Sequence, residues 1–261
     1  MPKQIKHVLL CPNPDKDAGL AILAQAEAIL RGLGVDTVAG GEPADLLLVF
    51  GGDGTILHHA AAANGVPILG VNLGRRGFMS GLEPDTLPRL EAVVRGEYRL
   101  EQRMMLDVTV ERGADRVYAA SALNDAVISR GAARLVMLSL YADGQPLMSF
   151  AGDGAVISTP TGSTAYAMAA GGPILEPEAQ ALLVTPICAH EIFARPLVLG
   201  PERTVGVEAR GGAYLSVDGG ELFTLQPGDR VLTARSAAVT RLVQVDSLGF
   251  YNRIYKKFGE I

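Results

Sequence analysis

Five residues, Gly51-Gly52-Asp53-Gly54-Thr55, stand between an apolar run ending at Phe50 and a stretch of helical spacing that starts at Ile56. Glycine permits tight turns and lets a ligand approach the main chain closely. A helix start offers unpaired N–H groups and the positive end of the dipole, so a phosphate fits a loop of Gly51, Gly52, Gly54 and Thr55. Asp53 is the odd member. A carboxylate in an anion-binding turn repels phosphate unless it faces a cation or a hydroxyl. Facing a hydroxyl, it can orient an acceptor for phosphoryl transfer and take its proton late, and the helix start favours its ionised form. The plainer alternative is that Asp53 caps a helix beginning at Thr55. The turn is neither Gly-x-Gly-x-x-Gly nor a Walker A loop, because no Gly-Lys-[Ser/Thr] follows, and this sets it apart from ordinary dinucleotide folds and P-loop ATPases.

Two further segments could bind a nucleotide. Asn124-Asp125 interrupts the apolar run Ala122 to Ile128. Buried polar residues need partners, which are either backbone groups or a ligand, and Asn-Asp is also an ordinary turn pair. The run Gly152-Asp153-Gly154 to Tyr166, continuing to Gly171-Gly172-Pro173, reads as a strand, a hydroxyl-rich turn and a short helix. Ser163 or Thr164 can cap that helix, and Pro173 bars its continuation. A capped turn accounts for Ser163 and the glycines. It leaves unexplained the density of Thr, Ser and Tyr between Ser158 and Tyr166. Those hydroxyls suit a nucleotide, and Tyr166 offers a flat face and a phenolic donor to adenine.

Other candidates are weaker. His58 follows the Gly-rich loop by one helical turn and could face phosphate, although from the residue alone a surface or packing role is the favoured reading. Arg75-Arg76 is a basic spot able to meet a phosphorylated small molecule. His190 reads as support for the fold, and His7 and His59 have no evident partners. No His/Cys/Asp/Glu cluster has metal-ligand spacing, so no resident metal site is expected, and a divalent cation, most simply Mg²⁺, would arrive with a phosphorylated ligand. Cys11 and Cys188 lie far apart and suggest neither a disulfide framework nor a metal clasp, which favours a reducing compartment.

The elements that must position these residues fall into two textures. Over the first hundred residues strand and helix alternate: strands at Val8–Cys11, Asp45–Phe50 and Pro67–Val71, helices at Asp17–Leu30, Ile56–Ala63 and Pro84–Val94. Continuous apolar strands between helices predict an α/β domain with a parallel, Rossmann-like sheet and ligands at the strand carboxyl ends. From residue 104 onward short β segments dominate: Met105–Glu111, Val117–Leu123, Leu135–Tyr141, Pro146–Phe150, Ala155–Ser158, Leu197–Leu199, Thr204–Ala209, Ala213–Val217, Glu221–Leu225, Arg230–Ala234 and Leu242–Val245. Asp143-Gly144 signals a hairpin, and a helical stretch lies near Thr164–Ala170. The expected division is an α/β domain over 1–103, a mostly β domain over 104–245, and a tail over 246–261, aromatic and basic, that packs back on the first domain.

Composition bounds the function. The chain has 261 residues, 48% hydrophobic and 20% charged, with a formal charge of −5. That balance is ordinary for a globular protein and argues against backbone binding to nucleic acid, which needs a basic surface. The apolar run at His7–Cys11 is too short for a signal segment, no stretch reaches the length of a membrane span, and a cytoplasmic location follows.

Gly-Gly-Asp-Gly-Thr after an apolar strand resembles the nucleotide loop shared by NAD kinases, diacylglycerol-type lipid kinases and phosphofructokinases. Pro67 to Met79, with Asn72 and the two arginines, resembles the NAD kinase stretch that follows it. Thr159-Pro160-Thr161-Gly162-Ser163-Thr164-Ala165-Tyr166 is close to a sequence characteristic of NAD kinases and absent from lipid kinases. The resemblance covers about Asp45 to Arg195. It implies transfer of a phosphoryl group from ATP, or from polyphosphate, to the 2′-OH of the adenosine ribose of NAD. By motif, Asp53 accepts the proton with Gly54 beside it. Asn124, Asp125, Thr164, Ala165 and Tyr166, with Ala167, Met168 and Ala169 following, hold the adenosine. Asp153 reaches the nicotinamide half across a subunit boundary of a homodimer or homotetramer. His58 and Arg134 fall at basic or polar contact positions, Arg134 only with a gap. The family most often has Glu where this chain has Asp125, a basic residue where it has Ala151, and Gln where it has Gly220. The rival readings are a lipid or sugar kinase of the same superfamily and a non-catalytic dinucleotide sensor.

Overall fold

A run of six buried residues, Leu46 to Gly51, and another of five, Ile68 to Asn72, form the middle of a parallel sheet in the computed structural model. Strands apolar on both faces survive only when covered on both faces, so the helices between them are a requirement of the sequence. The structure describes residues 4–13, 18–74, 77–131, 134–245 and 250–259; Arg75, Arg76 and Asp17 lie outside them. It divides into two units, residues 1–103 with 240–261, and residues 104–239.

In the first unit the strands are β1 (His7–Pro12), β2 (Asp36–Val38), β3 (Leu46–Gly51) and β4 (Ile68–Asn72), ordered β2-β1-β3-β4 and all parallel. Helix α1 (Ala18–Gly32) ends where Gly34 takes φ +69°, a left-handed stop that L-residues with a Cβ resist. Helix α2 (Asp53–Ala60) follows β3 directly and lies against β4, where a Cβ on Gly70 would come within 2.5 Å of the Ile56 side chain. The single helix expected over Pro84–Val94 is instead a 3-10 turn, Pro84–Arg89, running into α3 (Leu90–Val94). Pro88 has no N–H with which to continue α-type bonding. A reciprocal capping box between Glu83 and Thr86 starts the turn.

The second unit is almost entirely β. Strand β5 (Arg99–Arg112) enters it and pairs antiparallel with β6 (Asp115–Ala122). Then come β7 (Asp125–Arg130), β8 (Val136–Ala142), β9 (Gln145–Gly152), β10 (Gly154–Ser158), helix α4 (Tyr166–Ala169), β11 (Leu182–Ile187), β12 (Leu197–Leu199), β13 (Val205–Arg210), β14 (Ala213–Val217), β15 (Phe223–Leu225) and β16 (Asp229–Gln244). One antiparallel sheet is ordered β12-β11-β10-β7-β14-β15; in the other, β13 lies between β16 and β8, and β8 pairs with β9. Alternate residues of each face inward. Ala126, Ile128, Ala155 and Ile157 from the first sheet share a core with Leu138, Leu140, Phe150, Val205 and Val207 from the second. The Asp143-Gly144 hairpin has φ +50° and +76°, as a type I′ turn requires.

Two features depart from the sequence pattern. Arg230–Ala234 and all of Leu242–Val245 but its last residue belong to one long strand, β16, whose far end returns to the first unit with Leu242 parallel to Ile68. The second unit therefore ends at Val239, short of the expected limit. Strand β11 was not anticipated because Pro186 lies within it. Its pairing with β12 involves only Leu182 to Val184, so the proline sits where that neighbour has ended. The C-terminal helix α5 (Phe250–Phe258) belongs to the first unit.

Candidate active site

In the first unit the Gly-rich turn places Asp53 in the first turn of α2, with Gly52 as N-cap and no side-chain cap. The capping alternative therefore fails: Asp53 sits inside the helix, half-buried, and its carboxylate turns toward the 77–79 loop. It accepts N–H of Phe78 at 2.8 Å through Oδ2 and N–H of Met79 at 3.1 Å through Oδ1. Gly77 is obligatory for this cradle, since a Cβ there would stand 2.1 Å from Asp53 Oδ1. Gly51 has a similar reason, a Cβ falling 2.1 Å from Thr55 Oγ1. That hydroxyl accepts from Asn13 Nδ2 at 3.2 Å; the sequence pattern does not mark Asn13, and it includes Phe78 and Met79 only as the end of the Pro67–Met79 stretch, with no role for their N–H groups. Gly52 and Gly54 have open space around the Cβ position. Asn72 donates through Nδ2 to the Glu83 carboxylate at 3.0 Å and accepts from Gly74 N–H, tying the end of β4 to the next turn. His58 is exposed on α2, its ring 5.2 Å from that of His59. Burial first, and the neighbouring His58 second, lower the His59 pKa.

In the second unit the Asn-Asp pair begins β7, and its backbone is fixed from another strand. Asp218 accepts N–H of Leu123 at 2.7 Å through Oδ2, and N–H of Asn124 and Asp125 at 2.8 and 3.0 Å through Oδ1. Asp218 holds φ +51° and Gly219 φ +69°, a hairpin corner closed by Gly220 N–H on the Val217 carbonyl. Gly220 thus serves the turn through its backbone. The role of Asp218 is the main thing hidden from sequence, because three main-chain donors leave no trace in side-chain type.

Asp125 is 5% exposed and lies directly across from Ser158 of β10. Burial, and then the charge of Asp218, raise its pKa to about 7. Asp218 is raised as well, by burial, against the lowering effect of its three backbone donors. Near them, Asn124 Oδ1, Ser158 Oγ and Thr185 Oγ1 are buried without a hydrogen-bond partner. An orphaned buried acceptor is costly, on the order of 1–3 kcal/mol, unless a ligand or water completes it.

The Thr-Pro-Thr-Gly-Ser-Thr-Ala-Tyr run lies against this pair. Thr159 N–H donates to the Asn124 carbonyl at 2.8 Å, and its hydroxyl donates to the Leu123 carbonyl at 2.6 Å. Gly162 passes so close that a Cβ would meet the Asn124 carbonyl oxygen at 2.2 Å. Ser163 and Thr164 do not cap α4. Their hydroxyls donate to the carbonyls of Pro160 and Thr161 at 2.6 and 3.1 Å, and Ser163 also accepts N–H of Leu175 at 2.9 Å. Ala167 anchors α4 on Val156, Leu183 and Ile187. Tyr166 and Ala169 remain on its exposed side, Tyr166 at 48%, while Ala165 and Met168 are half-buried. Asp153 pairs with Arg130, Nε to Oδ1 at 2.7 Å, a basic partner the motif reading omits. Arg134 is exposed in the loop after β7.

Among the described residues, no three His, Cys, Asp or Glu side chains gather to hold a metal, and no helix is long and apolar enough to cross a membrane. Cys11, buried, and Cys188, exposed, are both free thiols.

Residues 36–98 match the ATP-NAD kinase N-terminal domain family, and residues 123–245 match the ATP-NAD kinase C-terminal domain family. The chain is 42% identical to the NAD kinase of Desulforamulus reducens over 246 residues, spanning 90% of this chain and 85% of that protein. It is 46% identical to NAD kinase 2 of Streptomyces coelicolor over 222 residues, 82% of this chain and 74% of that one. The crystal structure of yeast NADH kinase complexed with NADH superposes with a TM-score of 0.89 at 24% identity, covering 98% of this chain and 88% of that one. At that identity the likeness speaks for the fold.

Proposed function

The chain belongs to the ATP-NAD kinase family, and from that membership we propose that it transfers the γ-phosphoryl group of ATP to the 2′-hydroxyl of the adenosine ribose of NAD, giving NADP and ADP. The observation that carries this reading is the Asp53 carboxylate, held at a Gly-rich helix start by the N–H groups of Phe78 and Met79. Phosphoryl transfer depends mainly on positioning and charge neutralisation. Asp53 accepts a hydrogen bond from the 2′-OH and takes its proton as the ribose oxygen bonds to phosphorus and the bond to ADP breaks. Gly51, Gly52, Gly54 and Thr55 are assigned to phosphate, with His58 as an exposed polar neighbour.

The adenosine is assigned to Asn124, Asp125, Thr164, Ala165 and Tyr166, with the α4 residues Ala167, Met168 and Ala169 behind them. Asn124 Oδ1 and Ser158 Oγ are buried atoms a ligand's donors would satisfy. Tyr166 offers an exposed ring for a base, a contact of about 0.5–1.5 kcal/mol. Asp153, with Arg130, is assigned to the nicotinamide half, and Arg134 to a peripheral basic contact. Mg²⁺ is assigned to the MgATP substrate; among the described residues no three potential ligands gather. We place the enzyme in the cytoplasm, as the free thiols suit, and expect a homodimer or homotetramer, measurable by light scattering.

The test is NADP formation from NAD with MgATP, and with polyphosphate in parallel, for the wild type and for Asp53→Asn. An amide can accept only one of the two backbone N–H groups and cannot take the proton. Turnover should fall about 10³-fold, within the usual range for loss of a general base, with NAD binding by calorimetry retained. A variant with near-normal kcat would remove Asp53 from the acceptor role.

A further inference from the structure

Helix α5 presents Phe250, Arg253 and Lys257 at intervals of three and four residues, which puts them on one face. All three converge on Phe78. The Phe250 ring lies 6.4 Å from the Phe78 ring, and Lys257 Nζ stands 4.1 Å from its centroid. Arg253 Nη1 donates to the Phe78 carbonyl, while Nη2 donates to Gln244 Oε1. The opposite face, Tyr251 and Tyr255, is 70% and 67% exposed. A helix that only closed a core would spread apolar contacts over several strands; this one aims two cations and a ring at a single loop residue.

The carbonyl of Phe78 and the N–H of Met79 belong to one planar peptide group. Arg253 binds its oxygen, and Asp53 Oδ1 accepts its hydrogen at 3.1 Å. A cation on the oxygen of an amide polarises the group and strengthens donation from its nitrogen. The guanidinium is also close enough to interact with Asp53 through space, in a cluster that includes Glu101, Arg99 and Arg103. Burial of Arg253 opposes its charge, so the residue stands where a cation is costly without a role.

We propose that Arg253 is a positioning residue for phosphoryl transfer: through the Phe78–Met79 peptide the C-terminal helix holds the Asp53 carboxylate in the direction the acceptor hydroxyl requires. The proposal rests on Asp53 being the proton acceptor. Misplacing a reacting group by about an ångström can lower a rate on the order of 10²-fold, and the peptide is one such support.

The experiment uses Arg253→Met, Arg253→Lys, Gly77→Ala and the double variant Gly77→Ala/Arg253→Met in the full-length chain, with single-turnover rates and KM values for NAD and ATP. Gly77→Ala displaces the same carboxylate from the other side of its cradle. Arg253→Met should lower the single-turnover rate about 10- to 100-fold with KM nearly unchanged, and Arg253→Lys should recover most of it. The double variant should be about as slow as the slower single one, since both act on one group. Multiplying effects, a change confined to KM, or a normal rate in folded Arg253→Met would each overturn the proposal. Should the methionine variant fail to fold, Arg253→Gln takes its place under the same criteria. Asp53→Asn, run alongside, separates the two readings. A normal rate there removes the acceptor assignment, whereas a loss there with a normal rate in Arg253→Met overturns the positioning role alone.

Discussion

The Gly-rich turn of the first unit and the Asn-Asp turn of the second each build a site around a carboxylate, but they are finished to different degrees. Around Asp53 the protein partners the groups of the turn itself, two N–H groups for the carboxylate, Asn13 for Thr55 and Glu83 for Asn72, and among the described residues leaves unpaired only atoms outside that turn, such as Ser80 Oγ and Gln244 Nε2. Around Asn124 it does not. The backbone of 123–125 is pinned by Asp218, yet Asn124 Oδ1, Ser158 Oγ and Thr185 Oγ1 are buried without partners, and two carboxyl groups share a poorly solvated corner. A complete site can orient a reacting group before substrate arrives. An incomplete one leaves hydrogen bonds for the substrate to make, so its binding is selective for a ligand with matching donors.

That contrast can be broken most severely at Asp218. Asp218→Ala removes the acceptor of three backbone N–H groups, and the expected cost is about 3 kcal/mol of stability, read as a lower denaturant midpoint. NAD affinity should fall by roughly tenfold or more with the loosened turn. Unchanged stability would mean the turn holds its shape without the carboxylate.

An effect on stability of similar size, but expressed only through pH, comes from the neighbouring carboxyl. With its pKa raised from 3.8 to about 7, folded Asp125 binds more protons than the unfolded chain between those values. The stability it contributes is therefore full below about pH 4 and lost as pH rises through 7, a decline of roughly 2–4 kcal/mol. Asp125→Asn should flatten the pH dependence of the denaturant midpoint over pH 4–8, leaving a residual slope from Asp218, raised in the same direction. Identical slopes in the two proteins would assign the dependence elsewhere.

The smallest effect on the fold belongs to Tyr166, 48% exposed. Tyr166→Ala should move stability by less than about 0.5 kcal/mol while weakening NAD binding several-fold through lost stacking, about 0.5–1.5 kcal/mol. If calorimetry finds NAD affinity unchanged, the exposed ring does not meet the base.

Much of this arrangement is readable from residue types. The apolar runs before Gly51 and at Pro67–Val71 announce buried parallel strands because no polar residue interrupts them. Asp143-Gly144 announces its hairpin because few pairs tolerate two positive φ angles. What escapes the sequence is main-chain chemistry. Phe78 and Met79 hold Asp53 with backbone N–H groups, which every residue but proline owns, so their side chains give no hint. Asp218 reads as an ordinary turn aspartate, although its carboxylate reaches across to residues 94 positions away in the chain, such as Asn124. The hydroxyls of Ser163 and Thr164 suggest caps, but neighbouring carbonyls compete for them and win. Strand β11 is masked by its proline until its neighbour's length is known.

The path of β16 has a consequence for how the chain is made. Ile68 pairs in parallel with Leu47 on one side and with Leu242 on the other, and the helix that grips the Phe78 peptide follows still later, at Phe250–Phe258. During synthesis all of residues 104–239 emerge before the first unit receives its closing strand and its last helix. The sheet that leads into α2 keeps one flank open until residues 240–258 have been made, so the Asp53 carboxylate gains its C-terminal support only after the whole second unit exists.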